Sequence, residues 1–206
     1  MADFLIAPCN RDAVAWVDRW PEWPAPALIL YGSSGSGKSH LAHVWRARSN
    51  AVLVQGGAFP SLLSGQVNVL GNIVLDGLQM PFDEEALLHI YNLVAEQKGA
   101  LLISSAEPPG RWGVALKDLS SRLLACPAIG IGPPDDALIG AVMVKQFTDR
   151  QVKIDPEVLT FLLARMERSF AAVSQLVAAL DQAALAEKRR ITVPLAREVL
   201  DALQQK

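Results

Sequence analysis

One octet limits what this chain can become. Residues Gly32-Ser33-Ser34-Gly35-Ser36-Gly37-Lys38-Ser39 spell G-x-x-x-x-G-K-[ST], the phosphate-binding loop. The apolar run over 27–31 precedes it and reads as a buried strand. A helical pattern follows, with Leu41, Val44 and Trp45 on one face. Strand, glycine-rich turn and helix in that order are what lift the motif above a chance match. Glycines allow a tight turn whose N–H groups point inward around an anion, and the helix adds the positive end of its dipole. The spacing therefore predicts a nucleotide-binding stretch running from Gly32 through Ser33, Ser34, Gly35, Ser36, Gly37, Lys38 and Ser39 to His40. Lys38 is expected to reach the β- and γ-phosphates and the Ser39 hydroxyl to hold Mg²⁺.

The rest of the first part repeats the alternation. Strands are expected over 27–31, 51–55, 72–76, 100–104 and 128–131, and helices over 13–20, 39–48, 83–96 and 116–124. Strand–helix alternation predicts an α/β fold with a parallel sheet covered by helices on both faces. The acids Asp83-Glu84-Glu85 suit the first turn of a helix and read most simply as solvated. The punctuation Gly130-Ile131-Gly132-Pro133-Pro134 then separates a core over 1–132 from a helical part over 133–206. Helices are expected there over 135–148, 157–166, 170–187 and from Pro194 to about 203, with Asp155-Pro156 as an N-cap and first helical proline. Leu159, Leu162, Leu163 and Met166 recur at helical spacing and form a core face.

Composition narrows the function classes. The chain has 206 residues, 51% of them hydrophobic and 19% charged, enough to bury a core and unlike a disordered chain. Its net charge of −2 gives no global field for nucleic acid, and direct sequence-specific DNA binding is not expected. The basic run Lys188-Arg189-Arg190 suits a helix C-terminus. Cys9 and Cys126 make no metal-ligand spacing and no disulfide framework. The start, Met1-Ala2-Asp3-Phe4, lacks the pattern of an export signal. Residues 49–75 carry no charge, but Gly56, Gly57, Pro60, Gln66, Gly71 and Asn72 interrupt them, so no membrane span is expected. A cytoplasmic protein is the expectation.

A nucleotide site needs a carboxylate at the end of a neighbouring strand. Asp76, closing Ile73-Val74-Leu75-Asp76, is the expected Mg²⁺ residue together with Ser39. Efficient hydrolysis commonly uses a second acid next to it, and here Gly77 stands in that place. Ser104 and Ser105, at the tip of the next strand, are candidate γ-phosphate sensors or simple strand-end hydroxyls. Arg122, within Ser120-Ser121-Arg122-Leu123, is either an arginine finger for a phosphate in a neighbouring subunit or a surface ion-pair partner.

In this order, the P-loop, Asp76-Gly77-Leu78-Gln79, Ile103-Ser104-Ser105-Ala106-Glu107-Pro108-Pro109, Leu119-Ser120-Ser121-Arg122-Leu123 and the helical tail resemble the AAA+ ATPase core of the bacterial replication initiator DnaA. A DnaA-like core with no DNA-binding domain after its lid resembles the Hda family, and Phe4 to Asn10, the 16–23 segment and His40 to Trp45 resemble its alphaproteobacterial members. The resemblance implies a nucleotide-binding AAA+ core with a helical lid, holding ADP or ATP with Mg²⁺. It implies a regulator of replication initiation that joins the sliding clamp of the replicase, contacts ATP-bound DnaA and promotes hydrolysis of its ATP. Arg122 is then the finger offered in trans, and Leu5, Ile6, Ala7 and Asn10 line the adenine pocket. A finger requires an interface, with DnaA alone or with further copies of this chain.

Three departures from the family pattern bear on hydrolysis or on sensing ATP. Gly77 replaces a second acid, Ala106-Glu107 replaces Asp-Arg, and Ser174 stands where a lid arginine usually touches phosphate; Arg168 lies about two turns earlier. Loss of such groups predicts weak or absent intrinsic ATP hydrolysis. Hda proteins also carry a Gln- and Leu-rich clamp peptide before the core. The segment Gln66-Val67-Asn68-Val69-Leu70 faintly resembles one but reads as a loop leading to a strand, which leaves a natural start upstream of Met1, a clamp contacted otherwise, or a DnaA paralogue with another task. A small P-loop kinase or ATPase, and a DnaA-like loader or adaptor with another partner, are the competing readings.

Overall fold

The computed structural model describes residues 5–60, 71–187 and 189–204. Strands β1 (Ala27–Tyr31), β2 (Val52–Gln55), β3 (Ile73–Leu78), β4 (Leu101–Ser105) and β5 (Ala128–Gly130) form one parallel sheet in the order β2-β3-β4-β1-β5. Apolar residues run continuously along the central strands because both faces are covered. Leu28, Leu30, Val74 and Leu102 face one side, where α1 (Arg11–Asp18) and α2 (Lys38–Ser49) bring Ala13, Val17, Leu41 and Trp45. Ile29, Ile73, Leu75, Leu101 and Ile103 face the other, against Leu87, Ile90 and Val94 of α3 (Glu84–Glu96) and Leu119 and Leu123 of α4 (Lys117–Ala125). The α/β architecture is the one expected. Its core is continuous enough to hold the strand ends rigidly, and those ends carry the site.

The sheet departs from regular pairing at one place. Leu75 pairs with Ile103, but the next pair is Leu78 with Ser105, so the segment Asp76-Gly77 bulges out of the β3–β4 ladder. Gly77 has φ +74°, a left-handed backbone that a side chain adopts only under strain. Gly56 packs against this bulge; a Cβ there would lie 2.4 Å from the Gly77 carbonyl oxygen.

The chain folds as two compact units, residues 1–132 and 133–206. The second unit contains α5 (Asp136–Asp149), α6 (Pro156–Leu163), α7 (Phe170–Glu187) and α8 (Val193–Gln204). Its own core includes Phe147, Leu162, Met166, Val173, Leu180 and Leu195, with Leu159 and Leu163 partly buried against it. The Asp135 carboxylate accepts from the Leu138 amide at 2.8 Å and starts α5.

Three local expectations are corrected. Helix α6 stops at Leu163, not near 166, and its N-cap Asp155 makes no side-chain cap; Pro156 sets the start through its fixed φ. Helix α1 begins at Arg11, because Asn10 organises the turn before it. The acids before α3 are more than a solvated turn. Asp83 caps the helix by accepting from the Ala86 amide at 2.9 Å. Glu84 reaches across to accept from the amides of Ala115 and Leu116, at 3.0 and 2.7 Å, and so ties α3 to the start of α4. Lys188 lies outside the described residues, and Arg189 pairs with Glu198 at 3.2 Å.

Candidate nucleotide site

Because β1, β3 and β4 are parallel neighbours, their C-terminal ends bring three sequence segments together. The loop after β1 takes the conformation its glycines permit: φ is +152° at Gly32, +70° at Gly35 and +98° at Gly37. Gly32 is also a close approach, since a Cβ there would meet the Ile131 carbonyl oxygen at 2.3 Å. Gly37 is the N-cap of α2, which receives no side-chain cap, leaving the first-turn amides of α2 for an anion. The Ser36 hydroxyl is buried beneath the loop and has no hydrogen-bond partner. An uncapped helix start, a glycine turn and an orphaned hydroxyl together fit a polyphosphate. Ser33, Ser34 and His40 are exposed around the loop.

Lys38 folds back over the loop. Its ammonium donates to the carbonyl oxygens of Gly32 at 2.8 Å and Ser33 at 2.7 Å. Burial pulls its pKa below the ordinary lysine value, while the negative charge of Asp76 opposes that shift. A cation held by two carbonyls has no formal counter-charge in direct contact, and a phosphate supplies one.

Asp76 is the centre of a second cluster. Its Oδ1 accepts from the Ser39 hydroxyl at 3.0 Å and from the Ser104 hydroxyl at 2.5 Å. The Ser104 oxygen in turn accepts from the Gly77 amide at 2.8 Å. The P-loop, β3 and β4 are thus joined through one carboxylate. One carboxylate and one hydroxyl are a sparse protein set for a cation, which suits Mg²⁺ completed by phosphate and water. Among the described residues no cluster of three or more His, Cys, Asp or Glu could hold a metal alone.

Other sequence-predicted residues stand elsewhere. The Ser105 hydroxyl donates to the Glu107 carbonyl at 2.7 Å and shapes the turn after β4; it takes no part in the Asp76 cluster. Asn10 is buried, donating to the Leu5 carbonyl at 3.0 Å and accepting from the Ala7 amide at 2.8 Å. It therefore folds the 5–10 segment on itself, and the Gly132 amide bonds to the Cys9 carbonyl at 3.0 Å to tie that segment to the chain after β5. Leu5 and Ala7 are half-buried, and Ile6 is 62% exposed. Arg122 lies on α4 with its side chain 40% exposed. Its Nε pairs with Asp118 at 3.0 Å, and its guanidinium sits 5.8 Å from the centre of the Tyr91 ring. The Tyr91 contact was not legible in the sequence, since only the packing of α3 on α4 creates it.

Comparison with known proteins completes the picture. The family model "Hda, lid domain" matches residues 136–200. Domain III of the replication initiation protein DnaA from Thermotoga maritima shares the fold, with a TM-score of 0.83 at 18% identity over 97% of this chain and 94% of that one. The second unit thus matches the lid domain of the Hda family, and the whole chain shares the fold of DnaA domain III. An uncharacterized protein of Haemophilus influenzae is 28% identical over 192 residues, 85% of this chain and 82% of its own length. The P216G mutant of RuvB from Thermotoga maritima shares the fold as well, with a TM-score of 0.73 at 13% identity over 95% of this chain and 68% of that one.

Within the segment that matches the lid model, the position expected of a phosphate-sensing arginine is a serine engaged in local bonds. The Ser174 hydroxyl donates to the Phe170 carbonyl at 3.0 Å and accepts from the Gln146 amide at 3.1 Å. Arg168 is engaged by Asp136 through two hydrogen bonds, at 2.5 and 3.1 Å. Hydrogen bonding to Arg168 holds the Asp136 carboxyl below its ordinary pKa. Among the described residues no helix is long and apolar enough to cross a membrane.

Proposed function

We propose that this protein is a nucleotide-dependent regulator of replication initiation that acts on DnaA. It holds ADP or ATP through the 32–40 loop, with Ser39 and Asp76 as the Mg²⁺ residues and Ser104 orienting Asp76. Bound nucleotide supplies the anionic charge that the loop lacks. Arg122 is presented to ATP held by DnaA and promotes its hydrolysis, in company with the sliding clamp. The Gln66–Leu70 segment, which only faintly resembles a clamp peptide, lies outside the described residues.

One observation carries this reading. The phosphate cradle is intact, whereas the position beside Asp76 is a left-handed glycine with no group to orient water. A protein built this way retains nucleotide and turns it over slowly, so a role on a partner's ATP is the better use of an exposed arginine. An added guanidinium in trans accelerates phosphoryl transfer by about 10³- to 10⁵-fold in related chemistry.

The test is hydrolysis of ATP bound to DnaA from the same source, with this protein, ADP and DNA-loaded clamp. Acceleration lost in Arg122→Ala supports the reading. Equal acceleration by wild type and Arg122→Ala removes the finger, and no acceleration with ADP binding intact removes the action on DnaA.

A further inference from the structure

Among the described residues only two buried side-chain polar atoms lack a hydrogen-bond partner, the Ser36 hydroxyl and the Trp45 indole nitrogen. Trp45 is packed inside the core against the rings of Trp20 and Trp23. Ser36 is different, because it lies in a loop and is still only 2% exposed. A hydroxyl in such a place has lost its water and gained no partner. It sits beside Gly32, where an added Cβ would lie 3.2 Å from the Ser36 oxygen.

The backbone around Ser36 has fixed ends and a soft middle. Gly32 is held at one end by its close approach to the Ile131 carbonyl and by its amide, which donates to the Ser105 carbonyl at 3.3 Å. At the other end the Gly37 carbonyl accepts from the Leu41 amide at 3.0 Å, inside the first turn of α2. Between them, among the described residues, one backbone–backbone bond is made, from the Ser36 amide to the Ser33 carbonyl, and it is long at 3.3 Å. Gly35 and Gly37 flank Ser36 with φ of +70° and +98°, and glycine leaves such values at little cost because it populates both signs of φ. Swinging Ser36 outward therefore breaks one long bond and returns its hydroxyl to water. Above the loop, the Lys38 ammonium bridges the Gly32 and Ser33 carbonyls. A polyphosphate that enters or leaves has to exchange those contacts, and the turn loosens while it does.

We infer that Gly35-Ser36-Gly37 is a flap that gates nucleotide entry and release, and that the unpartnered Ser36 hydroxyl keeps it easy to open. This rests on the reading of residues 32–40 as the nucleotide loop. The burial penalty of the hydroxyl is carried by the closed flap, with or without nucleotide, and is absent from the open one. It therefore lowers the barrier in both directions. Association and release are both fast, and the dissociation constant is untouched. For a chain that turns nucleotide over slowly, exchange is the route by which its nucleotide state changes.

Stopped-flow fluorescence with a fluorescent ADP analogue on the full chain reads both rate constants. Ser36→Ala and Ser36→Cys each remove the hydroxyl; alanine leaves its space open, and cysteine fills it with a weakly hydrogen-bonding thiol. Both variants are expected to slow association and release by about five- to thirtyfold, the range that relief of one unsatisfied buried hydroxyl allows, with an unchanged dissociation constant. Exchange of the Ser36 amide in the nucleotide-free protein is expected to slow by the same factor. Thermal melts confirm that each variant is folded. Intact ADP binding with rate constants equal to wild type overturns the gate alone. A weaker dissociation constant carried by faster release assigns the hydroxyl to a ligand contact and also overturns it. Slowing in Ser36→Ala but not in Ser36→Cys traces the effect to the vacated space, with the same consequence. A wild type that binds no nucleotide overturns the nucleotide reading, and the gate with it.

Discussion

The Ser104 hydroxyl donates to Oδ1 of Asp76 across 2.5 Å while accepting from the Gly77 amide, so one side chain at the end of β4 fixes both the carboxylate and the bulge beside it. Removing it takes the acceptor from the Gly77 amide and one of the two donors from Asp76. Ser104→Ala is expected to cost about 1 kcal/mol of stability, because the buried carboxylate keeps only the Ser39 hydroxyl and the Gly77 amide loses its acceptor. It is also expected to weaken Mg²⁺-dependent ADP binding more than Mg²⁺-free binding, since the carboxylate loses its orientation. Urea melts and calorimetric titrations with and without Mg²⁺ check both outcomes.

Lys38 gives the site a pH dependence whose sign is fixed. Its folded pKa lies below the usual lysine value, chiefly through burial. The ionised form therefore costs the nucleotide-free fold stability at neutral pH, and that cost is relieved as pH rises through the folded pKa toward the unfolded value of about 10.4. Phosphate favours the ammonium, so ADP binding runs the other way. Affinity is expected to fall over the same alkaline window, with proton uptake on binding that differs between buffers of unlike ionisation enthalpy. Lys38→Ala is expected to lose the pH dependence there and at least tenfold in affinity, about 1.4 kcal/mol.

How legible this site was depended on whether its chemistry is local. The P-loop could be read because consecutive residues supply its glycines, amides and lysine. The apolar strands could be read because burial on both faces leaves them almost without polar positions. The ends of neighbouring strands also put Asp76 and Ser104 side by side. What escaped were relationships between elements distant in sequence. Glu84 looked like a first-turn acid, and its partners at Ala115 and Leu116 are 31 and 32 residues away. Asn10 is visible in sequence only as a polar residue of the 5–10 segment, and both of its amide atoms are used to fold that segment on itself. Gly77 was visible as a missing acid, but its left-handed backbone follows from the bulge and not from any local motif.

That backbone makes Gly77 expensive to replace. Nothing lies within 4 Å of a Cβ built there, so space is free and conformational strain is the only cost. Gly77→Ala is expected to lose about 1–2 kcal/mol, the usual cost of a left-handed alanine. Gly77→Asn is expected to lose less, because its side chain tolerates this region. Equal losses for the two in denaturant melts would assign the cost to something other than φ.

The Glu84 tie predicts a local effect. Glu84→Ala removes the acceptor for two backbone amides at the start of α4, and charge-assisted bonds of this kind contribute about 1.5–3 kcal/mol each when buried and less when exposed. A loss of about 1–2 kcal/mol is expected, with faster hydrogen exchange at Ala115 and Leu116 and unchanged exchange in β1. A uniform rise across the core would indicate global destabilisation instead.

The last prediction concerns how Arg122 is held. Asp118 is an exposed partner one turn away, worth a few tenths of a kcal/mol. Tyr91 is different: it is only 5% exposed, and its ring is a fixed surface beneath the guanidinium. A cation over such a ring gains about 0.5–1 kcal/mol at an exposed site. If Arg122 acts in trans, Tyr91→Leu is expected to lower stimulated hydrolysis of DnaA-bound ATP about two- to fivefold, in line with that energy. Tyr91→Phe, which keeps the ring and loses only the weak hydroxyl contact with Cys126, is expected to retain the activity. Arg122→Lys is expected to lose most of it, since an ammonium lacks the planar fork that spans phosphate oxygens. ADP affinity, measured alongside, is expected to stay constant in all three. A fall in affinity for Tyr91→Leu would trace its effect to the fold, and equal losses in Tyr91→Phe and Tyr91→Leu would remove the ring from the explanation.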